Sequence, residues 1–159
     1  MNKREKYEAL LTELSPLIEG ESNTIGVLAN VAAVIKEKLG FFWVGFYLVK
    51  SNLQGEEHLA LGPFQGPIAC YRIGYGKGVC GTCWKERKTV VVEDVEEFPG
   101  HIACSSLSRS EIVVPLFNNS DKGVWGVLDI DSTEIGTFDS IDSQYLERAM
   151  QIVSASLKL

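Results

Sequence analysis

Cysteine is the residue type in this chain best suited to covalent chemistry, and there are four, at positions 70, 80, 83 and 104. Cys80 and Cys83 form a C-x-x-C, "CGTC", a spacing shared by zinc knuckles, dithiol redox pairs and the first turn of an ordinary helix. A structural zinc site would want a second tight pair or closely spaced histidines, whereas His58 and His101 are isolated, so no metal is expected. The glycines of "GYGKGVCGTC" form a tight loop into a short helix whose first turn holds Cys80, where backbone N–H groups and the positive helix end favour a thiolate. That stretch resembles a Gly-rich phosphate loop only loosely and lacks G-x-x-x-x-G-K-[ST], so it is weak support for nucleotide binding. Cys104 ends "PGHIAC", a loop shortly before Glu111 in which a thiol can face a carboxylate. His101, three residues earlier, could lower the thiol's pKa as a cation, although an ordinary loop histidine is the simpler reading.

Carboxylates form the second group. If Phe41 to Val49 is a strand, alternation puts Phe42, Val44, Phe46 and Leu48 on one face and Trp43, Gly45 and Tyr47 on the other. In "EIVVP" Glu111 opposes Ile112 and Val114; in "VLDID" Asp129 and Asp131 oppose Leu128 and Ile130. One side of the sheet is therefore apolar, and the other offers two aromatics with polar tips and three acids. A polar outer face is common in antiparallel sheets. Two aspartates flanking an isoleucine within an apolar run nevertheless call for a local reason, because Asp is disfavoured in strands. Acids beside Trp and Tyr suit a small cationic ligand, whose ammonium pairs with carboxylates while the rings line the pocket. A divalent metal would use the same oxygens but gain nothing from an indole.

These residues need elements to position them. Apolar spacing predicts a helix over Glu5 to Ile18, which Pro16 could end or kink early. A second helix capped by Ser22 or Asn23 buries Ile25, Leu28, Ala32, Ile35 and Leu39 and stops at Gly40. "EEHLALGP", "ACYRIGY", "TVVVEDV", "EIVVPLF" and "GVWGVLDID" read as further strands, with Pro115 marking an edge or a bulge. A closing helix, capped by Asp139 or Ser140, buries Tyr145, Leu146, Ala149 and Val153. Terminal helices around a run of strands predict an α+β fold with a mostly antiparallel sheet, in one domain over residues 1–159. A net charge of −6 with no basic cluster argues against nucleic acid as a partner. No apolar run reaches the roughly 18 residues of a membrane helix, and "MNKREKYEALL" is not a signal peptide, so a cytoplasmic location away from membranes is expected. In that compartment disulfides are more often catalytic than structural.

Six ordered blocks, "FWVGFYL" (42–48), "LGPFQG" (61–66), "GKGVCG" (76–81), "PGHIAC" (99–104), "SEIVVP" (110–115) and "VLDIDS" (127–132), together resemble the free methionine-(R)-sulfoxide reductases, enzymes built on a GAF domain. The resemblance implies a six-stranded antiparallel sheet with the N- and C-terminal helices on one face. It also implies free methionine-(R)-sulfoxide, rather than the peptide-bound form, as substrate. Cys104 falls where the family keeps its attacking thiol, Cys80 where it keeps a resolving one, and Cys70 where a third cysteine can join the relay. Trp43, Tyr47, Glu111, Asp129 and Asp131 match the family's pocket residues. Cys83 stands where the family has a small residue such as Ala, so the C-x-x-C is expected to be incidental and the working pair to be Cys80 with Cys104. "CSSLSRSE" departs from the acidic loop that usually follows the attacking cysteine. The implied cycle passes through a sulfenic acid and a disulfide recycled by thioredoxin or a similar dithiol, needs no metal or organic cofactor, and leaves room for a homodimer. The alternative is a non-catalytic GAF sensor, which would need none of Cys70, Cys80 and Cys104.

Overall fold

A computed structural model describes all 159 residues. In chain order the elements are α1 (Lys3–Ile18), α2 (Thr24–Leu39), β1 (Trp43–Ser51), β2 (Glu57–Gln65), β3 (Arg72–Ile73), α3 (Gly78–Glu86), β4 (Val90–Val92), β5 (Ser110–Phe117), β6 (Val124–Ser132) and α4 (Ser140–Leu157). The strands form one antiparallel sheet in the order β3-β2-β1-β6-β5-β4. Residues of α1, α2 and α4 cover one face of it, packing on Val44, Phe46, Leu48, Ile112, Val114 and Leu128. On the other face α3 lies over a smaller core containing Trp43, Tyr47, Val113 and Val127. No helix is long and apolar enough to cross a membrane.

Local chemistry sets the helix ends. Asn23 caps α2 by accepting from the Gly26 N–H, and Gly40 ends it at φ +75°, a conformation that favours glycine. Asp139 and Asp142 make a capping box at the start of α4. Buried Asp142 also accepts from the Tyr7 hydroxyl at 2.6 Å and pairs with Lys3 Nζ at 2.6 Å, which fastens α1 to α4. Pro16 does not stop α1; the helix runs two residues further, to Ile18, so any distortion stays in its last turn.

Three expectations from periodicity need correction. Ile25 is 61% exposed, because Val27, Val31 and Val34 share the buried side of α2 with Leu28, Ala32 and Ile35. Phe42 precedes β1 and packs with the α3-side core, while Phe41 takes the place on the helix side. Most of "ACYRIGY" is loop, with only Arg72 and Ile73 paired to β2. Pro115 lies where β5 has a partner on one side only, since β4 pairs no further than Val113, and a register shift follows between Leu116 and Phe117. A missing N–H is cheap at such a place.

Candidate active site

Strand register converts sequence alternation into a site. Trp43 in β1 pairs with Asp131 in β6, which pairs with Glu111 in β5; one step along, Gly45 pairs with Asp129, which pairs with Val113. Three acids and an indole thus occupy adjacent points of the face under α3. Gly45 is required there, because a Cβ would stand 2.4 Å from the Phe64 Cβ and 2.5 Å from the Trp43 ring. With no side chain there, the indole lies nearly parallel to Phe64, at 5.2 Å centroid separation, and to Tyr47, at 6.1 Å.

The polar tips of both aromatics are taken up by backbone carbonyls of the chain. Trp43 Nε1 donates to the Pro67 carbonyl at 2.9 Å and the Tyr47 hydroxyl to the Cys70 carbonyl at 3.0 Å. Together they moor the segment between β2 and β3, which carries Cys70. Cys70 is joined by a disulfide to Cys104, with the two Cα atoms 5.5 Å apart. The bond closes one side of a narrow cavity of about 50 Å³, whose wall includes Trp43, Cys80, Cys104, Glu111, Asp129 and Asp131. At about 10–15 Å³ per water on that measure, the space holds a few waters. Phe42, Ile68, Ala69 and Ile102 supply its apolar lining. Glu111 and Asp129 are each 6% exposed, and Asp129 Oδ1 is buried with no hydrogen-bond partner. A buried unpaired carboxylate oxygen costs free energy unless a donor arrives. A cationic or N–H-bearing ligand would supply one.

A GAF domain profile matches residues 23–157. The chain is 45% identical over 149 residues to the free methionine-R-sulfoxide reductase of Escherichia coli, covering 93% of this chain and 86% of that one. It is 39% identical over 161 residues to the Saccharomyces cerevisiae enzyme of the same name, covering 98% and 88%. The structure of free methionine-R-sulfoxide reductase from Neisseria meningitidis in complex with its substrate superposes with a TM-score of 0.94 at 48% identity, over 99% of this chain and 92% of that chain. The chain belongs to the free methionine-R-sulfoxide reductase family of GAF-domain proteins.

The expected GAF architecture, six antiparallel strands with the terminal helices on one face, is the one observed. The cysteine pairing differs from expectation. Cys104 is bonded to Cys70 rather than Cys80, because the 66–71 segment moored by Trp43 and Tyr47 lies beside the Cys104 loop. Cys80 and Cys83 are both free and buried, so the C-x-x-C forms no bond. The thiolate expected of Cys80 is also reversed. Burial, then the charges of Asp129, Glu111 and Asp131, push its thiol well above the usual cysteine range, outweighing the helix end.

Burial likewise raises all three acids, Glu111 and Asp131 well above the ordinary carboxylate range and Asp129 above it. Mutual charge adds to the rise at Glu111 and Asp131. At Asp129, hydrogen bonds from Glu111 and Cys80 partly offset it. One sulfur and two oxygens, from Cys80, Glu111 and Asp129, lie within 4.8 Å of one another, a donor set that a thiophilic cation could use. A proton shared among the three side chains would hold the same atoms together. His101 is placed against Glu111, and the alternative of a cation beside Cys104 is not supported. Its Nε2 lies 3.8 Å from Glu111 Oε1, and burial lowers its pKa despite Asp129.

Phe64 escaped notice in the sequence, yet it stacks on Trp43 and so supports the indole that lines the cavity. Its signal was available: Phe64 pairs with Gly45, the one residue on that strand face with no side chain. Lys77 and Gly78, at the cavity edge, had no such signal.

Proposed function

We propose that this chain reduces free methionine-(R)-sulfoxide to methionine, with Cys104 as nucleophile. The observation that carries the reading is the Cys70–Cys104 disulfide on the rim of a cavity walled by Glu111, Asp129 and Asp131. Such a bond is the product expected after one turnover.

In the reduced enzyme the Cys104 thiolate attacks the sulfoxide sulfur, and Glu111, kept protonated by burial and by Asp129, gives its proton to the sulfoxide oxygen. The S–O bond breaks as oxygen passes to Cys104. Methionine sulfur gains two electrons and Cys104 loses two, becoming a sulfenic acid. The Cys70 thiol then displaces water from that sulfenic acid and closes the disulfide. A dithiol such as thioredoxin returns both cysteines to thiols by exchange and is itself oxidised. Asp129, with its unpaired Oδ1, and Asp131 receive the substrate ammonium, and the Trp43 ring packs on the methyl-sulfur end.

The same arrangement favours the free amino acid. An amide-linked residue brings no ammonium, so its binding would bury carboxylates without a cation, at a cost of several kcal/mol. The test is dithiothreitol-dependent release of methionine from free methionine-(R)-sulfoxide. Activity on the free compound, little on its N-acetyl derivative and none with Cys104→Ser is the expected pattern. Ligand binding without turnover would point instead to the non-catalytic GAF sensor.

A further inference from the structure

Of the two cysteines that the disulfide leaves free, Cys80 is the one that lines the cavity. It is 3% exposed, sits in the first turn of α3, and lines the cavity floor beside the acids. Its sulfur and one oxygen each of Glu111 and Asp129 fall within 4.8 Å of one another. Cys104, its expected partner, is already closed onto Cys70 from the loop side. Backbone contacts fix α3 in this place: Gly76 N–H donates to the Gly81 carbonyl, and a Cβ on Gly81 would meet the Gly74 carbonyl at 2.5 Å. The helix cannot readily carry Cys80 out toward the rim.

We infer that Cys80 positions the acid cluster by donating its S–H hydrogen to Asp129, leaving disulfide chemistry to Cys70 and Cys104. This deepens the proposed reductase reading and rests on it for its kinetic consequences. Glu111 and Asp131 are the acids facing Cys80, with Tyr47, His101, Lys77 and Cys83 as the other titratable neighbours around the cluster. None of them favours a thiolate at Cys80 except Lys77 at the cavity edge, and burial with three acids keeps the thiol protonated. A protonated thiol is a poor resolving nucleophile but a competent donor. A donor to the ionised form of a carboxyl lowers its pKa. Cys80 therefore favours Asp129 as the ionised member of the cluster and leaves Glu111 as the member that holds the proton. A resolving thiol would be lost equally with Ser or Ala. A hydrogen-bond donor is kept by Ser and lost with Ala.

The experiment compares wild type, Cys80→Ser and Cys80→Ala in single-turnover methionine release across pH, with mapping of the oxidised protein. Cys80→Ser should keep its rate within a few-fold and still form Cys70–Cys104. Cys80→Ala should form the same disulfide but release methionine about tenfold more slowly, with the acid limb of its pH profile moved up by about one unit, as loss of one donor to Asp129 requires. In an Asp129→Asn background, Cys80→Ala should cause no further loss of rate, which separates positioning from poor folding. A substrate-free measurement keeps the inference testable should the chain reduce no sulfoxide. In the oxidised protein only Cys80 and Cys83 retain S–H groups. The infrared S–H band lost in Cys80→Ala should show hydrogen bonding, and it should shift in Asp129→Asn. Equal failure of Cys80→Ser and Cys80→Ala to form a disulfide after a full first turnover would overturn the inference. An unbonded S–H band at Cys80, or an unshifted, fully active Cys80→Ala, would do the same.

Discussion

Replacing Glu111 by Gln should trade activity for stability. Glu111 is 6% exposed, and burial and the charges of Asp129 and Asp131 raise its carboxyl well above the usual range. In the unfolded chain the same group ionises near its ordinary pKa of about 4.3. Below that value both states are protonated and the folded protein is not penalised. As pH rises, the unfolded state releases a proton that the folded state keeps, so unfolding gains about 1.4 kcal/mol per pH unit until the folded pKa is passed. Gln does not titrate, has nearly the same shape, and can still donate to Asp129. A domain of this size shifts its melting temperature by about 2–4 °C per kcal/mol. The melting temperature of Glu111→Gln minus that of wild type should therefore widen by about 3–6 °C per pH unit from pH 5 upward. Methionine release in the same buffers should fall on the order of 10²-fold, because the amide has no proton to give. Scanning fluorimetry over pH with single-turnover kinetics measures both. A variant that melts below wild type at every pH, or a gap that ignores pH, would refute the assignment of a buried, protonated Glu111.

Other perturbations separate parts of the site from the frame. Cys70→Ser should release about one methionine per enzyme and leave a sulfenic acid on Cys104 that dimedone labels; rapid appearance of a Cys80–Cys104 bond instead would reinstate Cys80 as the resolving thiol. Gly45→Ala drives a methyl into Trp43 and Phe64, so KM should rise about tenfold with kcat little changed, and an unchanged KM would show that the indole does not shape the pocket. Asp142→Ala removes the acceptor of Tyr7, Lys3 and the Asp139 N–H far from the cavity. It should cost about 3 kcal/mol, or about 6–12 °C in melting temperature, with kcat preserved; a fall in kcat at full stability would contradict a purely structural role.

Much of the site could be read from alternation. Trp43, Tyr47, Glu111, Asp129 and Asp131 share the face under α3 because a strand's period of two holds wherever the strand is regular. Phe42 is misplaced by alternation because β1 begins at Trp43, two residues later than the apolar run, and Ile25 because the buried side of α2 runs through Val27, Val31 and Val34 instead. The disulfide partner was not legible. Cys70 and Cys104 lie 34 residues apart, in loops with no periodicity, and what joins them is the mooring of one loop by two aromatic side chains. The state of Cys80 was misread for a different reason. A helix N-terminus can be seen in "GKGVCG", but the burial and the three acids that overrule it come from strands remote in sequence.

The most direct test of the central claim is incubation of the reduced protein with racemic free methionine sulfoxide and dithiothreitol, followed by chiral separation of what remains. The account predicts disappearance of the R epimer alone, with methionine formed in equal amount and N-acetylmethionine sulfoxide left almost untouched. Loss of both epimers, loss of S, or no loss of either would contradict it.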